Sequence, residues 1–154
     1  MERLALPSFA PYVRRIDADA RIASALNAVR ALLVADLLPA HRRELLGVCL
    51  WKLSLAEPPD KYATRFVSAT ALRCARRSLA HEHVHERAKL VRALIDGAVS
   101  PERLPEFALA CVVTREEHAR LGVESRRDPS LDGWDRYRKA GIAVVDRGRG
   151  CWLP

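Results

Sequence analysis

Apolar residues recur at helical spacing through roughly the first hundred positions, and in short unbroken runs after that. Ile22, Leu26, Val29, Leu33 and Leu37 form one stripe between about Asp17 and Leu38, with Arg21, Ser24 and Arg30 lying off it. That is the period of an amphipathic helix. Pro39 closes this helix and opens a second near Ala40 to Ala56, where proline's missing N–H costs nothing. The second helix is apolar on most sides (Leu45, Leu46, Val48, Cys49, Leu50, Trp51, Leu53), so it is expected to run through the core. Pro58-Pro59-Asp60 breaks the chain. A third helix is expected near Ser68 to Leu79, with Ala71, Leu72, Ala75 and Leu79 on one side. Arg73, Arg76 and Arg77 then share the other at i, i+3, i+4 spacing. A fourth, about Glu86 to Asp96, carries Leu90, Val91, Leu94 and Ile95 and stops at Gly97.

Beyond it the pattern shortens. Ser100-Pro101-Glu102 is a helix start, and Ala110-Cys111-Val112-Val113 reads as a buried strand. Thr114-Arg115-Glu116-Glu117 matches a capping box, which sets His118 one residue past the first turn of a short helix. After a loop from Arg126 to Gly133, a helix over Trp134 to Ala140 ends at Gly141, and Ile142 to Val145 reads as a strand. The expected fold is mainly α: a single compact helical domain over residues 1–154 with two or three short strands in its C-terminal half. Residues 1–16 form an irregular lead-in and residues 146–154 a tail.

Composition narrows the function classes. The chain carries a formal charge of +7, almost all of it arginine, since Lys52, Lys61, Lys89 and Lys139 are the only lysines. An excess of arginine suits an acidic partner, DNA or RNA first, because phosphate neutralisation is strongly favourable. Cys49, Cys74, Cys111 and Cys151 are widely spaced, which argues against a zinc knuckle or a disulfide framework. Charged residues interrupt every apolar run before membrane-spanning length, so no membrane partner is expected and the compartment expected is cytoplasmic. No serine triad, glycine-rich phosphate loop or dinucleotide fingerprint is present.

Candidate chemistry concentrates in His81-Glu82-His83-Val84-His85-Glu86-Arg87, with His118 on a later segment; four of the five histidines fall here. Imidazoles and carboxylates bind divalent metals and move protons near neutral pH. If residues 81–85 are extended, His81, His83 and His85 share one face and Glu82 and Val84 the other; if they are helical, only His81 and His85 align. Both geometries remain open at this level.

Glu82-His83-Val84 followed by Glu86-Arg87 resembles the acid-His-Val opening of the HNH, or ββα-metal, endonucleases. Cys111-Val112-Val113-Thr114 leading into Glu117-His118 is similar to that family's strand and metal-binding helix. The resemblance implies that Glu82 and His118 hold a divalent metal (magnesium, manganese or zinc), with His81 and His85 as further donors, while His83 activates water against a phosphodiester. The family's middle asparagine has no counterpart, since Asn27 is the only asparagine. Arg76 and Arg77 followed by His81 resemble the arginine–histidine pairing of HEPN ribonucleases, implying metal-free RNA cleavage in a dimer.

Two basic segments are the candidate nucleic-acid contacts: Arg73, Arg76 and Arg77, and the run Trp134-Asp135-Arg136-Tyr137-Arg138-Lys139, from which Arg136 and Lys139 face phosphate if the aromatics do not simply pack inward. The competing reading is a non-catalytic helical regulator or inhibitor with a protein partner. The apolar second helix would also serve a homodimer.

Overall fold

The computed structural model describes residues 5–153. The first four residues of the expected lead-in, and Pro154 of the expected tail, lie outside the described residues. The chain forms two compact units, each built from separated stretches: one from Arg14–Pro59 and His83–Leu109, the other from the segment ending at Val13, Asp60–Glu82 and the chain from Ala110 onward.

The first unit is helical. α1 (Ala18–Val34) and α2 (Pro39–Ser54) lie where the apolar periodicity places them, followed by α3 (Arg87–Ile95) and a single turn, α4 (Leu104–Phe107). Their core is Val29 and Ala25 from α1, Leu46, Leu50 and Leu53 from α2, and Leu90, Val91 and Leu94 from α3. Each leucine fully withdrawn from water contributes roughly 1.5–3 kcal/mol. The end of α1 is closed by Arg42, whose guanidinium donates to the carbonyls of Leu32 (3.1 Å) and Ala35 (2.6 Å), groups that would otherwise lack partners at a helix terminus. Gly97 stops α3 with φ of 72°, a conformation that costs a residue with a Cβ. One expectation is corrected. α2 does not run buried on most sides, because Leu45 and Val48 are 42% and 49% exposed; Leu46, Leu50 and Leu53 pack inward, with Cys49 against the same core.

The second unit is built on a five-stranded mixed sheet in the order β2-β3-β1-β4-β5. β1 is Phe66–Ser68, β2 Leu79–His83, β3 Ala110–Thr114, β4 Val144–Asp146 and β5 Cys151–Trp152. β1 runs parallel to β3, with Val67 opposite Val112, and antiparallel to β4, with Val67 opposite Val145. β3, between two strands, is buried at all five positions. That matches its unbroken apolar run, as a strand covered on both faces requires. α5 (Arg115–Arg127) and α6 (Gly133–Lys139) complete the unit. Val67, Ala71, Val112 and Val145 form a small apolar cluster with Leu72 and Leu79 against it.

Helices carry much of the chain, but the expected count and placement of strands are corrected: five strands occur among the described residues, and β1 falls in the N-terminal half. The helix expected over Ser68 to Leu79 does not form. Two 3₁₀ turns, Ala71–Arg73 and Arg76–Ser78, stand there instead, separated by Cys74 and Ala75 in extended conformation. Three of the four apolar residues that suggested a helix stripe, Ala71, Leu72 and Leu79, pack on the sheet cluster, so tertiary burial outweighs a weak local preference.

Candidate functional site

β2 extends through His81, Glu82 and His83, which resolves the histidine-rich segment in favour of the strand over those three positions. Successive side chains on a strand point to opposite faces. Glu82 is 8% exposed. Its Oε2 meets Nδ1 of His118 on α5, and its Oε1 accepts a hydrogen bond from Arg136 Nη2 on α6 at 2.9 Å. Arg136 is itself 3% exposed, and its guanidinium supplies the charge compensation that a buried carboxylate needs. His118 differs from both: its side chain is 57% exposed while its Nδ1 edge is held on Glu82.

The capping box positions His118. Thr114 Oγ1 accepts the Glu117 N–H (3.1 Å), and Glu117 Oε2 accepts the Thr114 N–H (2.9 Å). The same Glu117 oxygen accepts a hydrogen bond from Ser68 Oγ of β1 at 2.6 Å. The start of α5 is thereby fastened to the sheet centre, and His118 follows directly on a rigid first turn. Beside that turn lies a cleft of about 680 Å³, lined by Thr70, Cys74, Arg77, Ser78, Arg115 and Glu116.

The remaining sequence candidates have separate neighbours. His81 Nδ1 lies 2.7 Å from the Lys61 carbonyl. His83, 9% exposed, packs its ring on Trp51 with centroids 5.5 Å apart, and His85 packs on Phe107 at 5.4 Å. Among the described residues no three His, Cys, Asp or Glu side chains form a group able to hold a metal ion. Glu82 and His118 together supply two donors, short of the three or four that a zinc site takes.

The basic patches are redistributed. Without the expected helix, Arg73, Arg76 and Arg77 do not share one helical face. Arg76 pairs with Asp60 at 3.2 Å and lies over Tyr62 at 4.9 Å, so Arg76 and His81 both fasten onto the Asp60–Lys61 turn. Arg136 is turned inward onto Glu82 rather than outward to phosphate, while Lys139 is exposed. Tyr137 is 1% exposed and stacks on Trp134 (5.1 Å), which meets Phe66 (5.0 Å), so these aromatics are core.

Sequence reading missed Ser68, hidden in a segment expected to be helical, and the inward role of Arg136, whose neighbours along the chain are mostly charged. Cys111 is fully buried, and burial first, then the nearby Glu117 charge, push its thiol well above the usual range. A thiol held protonated is inert. Burial likewise raises the Tyr137 phenol. Among the described residues no helix is long and apolar enough to cross a membrane. No family model matches the chain, and no curated protein or solved structure was found to match it.

Proposed function

We propose that this chain acts on nucleic acid, cleaving a phosphodiester at a site centred on Glu82 and His118. The observation that carries the reading is the junction of these two side chains, from separate segments, with Arg136 completing it. A carboxylate on Nδ1 holds the imidazole as the Nδ1–H tautomer and leaves the Nε2 lone pair free to take a proton. In the proposed reaction Nε2 accepts the proton of the attacking water as its oxygen bonds to phosphorus. The P–O bond to the departing sugar oxygen breaks, and that oxygen takes a proton from solvent. General-base assistance of this kind is worth about 10²–10⁴ in rate.

The basic charge of the chain, and the cleft with Arg77 and Arg115 beside the start of α5, support a polyanionic substrate through phosphate neutralisation. The base role falls to His118 rather than His83 because His83 is buried against Trp51 whereas the His118 side chain reaches solvent. With both Glu82 oxygens already engaged by His118 and Arg136, the residues present do not fit a protein-built metal site, and no step is routed through a metal.

The test is incubation of the full chain with labelled single- and double-stranded DNA and RNA, with and without EDTA, alongside His118→Ala. Cleavage that persists in EDTA and vanishes in His118→Ala supports the reading. Cleavage unaffected by His118→Ala, or none on any of the four substrates, removes it.

A further inference from the structure

The first unit carries a groove that the nuclease reading does not use. It lies between α2 and α3 and encloses about 760 Å³, with a second depression of about 330 Å³ joined to it through Val48 and Arg87. Its lining follows the helix period on both sides: Arg43, Gly47 and Trp51 on α2, and Arg87, Val91 and Ile95 on α3, each at i, i+4, i+8. Eight residues of helix span about 12 Å, so the groove is an elongated trough rather than a round pocket. Its floor is apolar, with Val48 49% and Ile95 42% exposed, and Gly47 keeps it open, since a Cβ added there meets no atom within 4 Å.

Three arginines, Arg43, Arg87 and Arg92, stand on the rim of the groove. Arg14, Arg21, Arg30 and Arg103 all pair with carboxylates of this chain. Among the described residues, Arg43, Arg87 and Arg92 make no such pair, although Glu44 and Asp96 line the same groove. Arg87 lies over the Trp51 ring at 5.7 Å, so one end of the trough presents an aromatic face and a cation together. A small ligand site buries most of its ligand, which an open trough of this length does not. Apolar floor, helical period and unpaired cations are instead complementary to a helix with one apolar face and acidic flanks.

We infer that the trough between α2 and α3 is a docking site for an acidic amphipathic helix of a partner protein. The partner's apolar side chains, at i, i+3 or i+4 spacing, seat over Gly47, Val48 and Val91, and its carboxylates meet Arg43, Arg87 and Arg92. Charge complementarity of this kind steers encounter and selects the partner.

The experiment is selection of a displayed library of randomised helical peptides, about eleven residues or three turns long, against the full chain. Selected sequences should carry an apolar face with glutamate or aspartate beside it. A synthetic copy should lose roughly tenfold or more in affinity for Gly47→Leu and for the double variant R43E/R92E. Replacing its acids by lysine should have the same effect. Gly47→Leu places its Cβ in open space and improves helix propensity, and an unchanged thermal melt shows that the fold is kept. The proposal is overturned if no binder emerges, if the binders are basic, or if binding survives Gly47→Leu. It is equally overturned if Gly47→Leu alters only binding to anionic vesicles, binding to duplex DNA, or self-association of the chain.

Discussion

Glu82 Oε2 and His118 Nδ1 meet although thirty-six positions separate the two residues in the chain, and the other Glu82 oxygen is held by Arg136 at 2.9 Å. A carboxylate with one edge on a buried cation and the other on a half-exposed imidazole orients that imidazole.

Glu82→Gln should keep the position of the His118 ring while losing the charge that fixes its tautomer. The expected outcome is a fall in phosphodiester cleavage of about 10²-fold or more, the scale of general-base assistance, with substrate binding little changed. Single-turnover rates against binding titrations separate the two effects. Equal losses in both would assign Glu82 to substrate binding instead.

Removing Arg136 should be costly in stability. Arg136→Ala leaves the buried Glu82 carboxylate without its guanidinium, and breaking a buried pair from one side costs about 3–5 kcal/mol. The double variant with Glu82→Gln should recover much of that loss. Urea denaturation of the two single variants and the double variant measures the coupling, and simple additivity would sink the assignment.

The capping box makes a smaller, local prediction. Thr114→Ala removes the acceptor for the Glu117 N–H and should destabilise the chain by about 1 kcal/mol. Ser68→Ala removes the hydrogen bond that ties Glu117 to β1; a buried hydrogen bond to a charged group is worth about 1.5–3 kcal/mol. Hydrogen exchange at the start of α5 should accelerate in both variants.

A second ionic node predicts pH dependence. Burial opposes the charge on Asp146, yet hydrogen bonds from the Arg65 guanidinium (2.8 and 2.6 Å) and from the Gly148 and Arg149 amides hold its carboxyl below the usual range. A carboxyl depressed in the folded state stabilises the fold fully above its unfolded pKa. That contribution fades as pH falls through the unfolded value and then the folded one. Asp146→Asn should therefore be less stable than the native chain near neutral pH, with the gap narrowing in acid below about pH 4. Thermal melts across pH 3–7 test this, and a gap that widens in acid contradicts it.

Much of the helical architecture is legible in the sequence. Ile22 and Leu26, like Leu46, Leu50 and Leu53, sit at intervals that only a helix turns to one side, and the Thr114–Glu117 box is a contact between near neighbours. The segment from Ser68 to Leu79 was misread for the complementary reason. Its apolar spacing suits a helix, but Ala71, Leu72 and Leu79 find a larger apolar partner in the sheet, and which burial wins depends on residues far away in sequence. The candidate site divides in the same way. Histidine and carboxylate types marked Glu82 and His118 as candidates. Their convergence, the inward turn of Arg136 and the support from Ser68 came only from chain reversals.

By itself the sequence determined the helical periods, the capping box, the charge excess and the short list of titratable groups, since each depends on residues within a few positions of one another. The tertiary structure alone decided the strand pairing through β1, the meeting of Glu82 with His118 and Arg136, and the gathering of Arg43, Arg87 and Arg92 along the trough between α2 and α3. Those are contacts between distant segments, and their free energy exists only once the chain has closed the loops that bring them together.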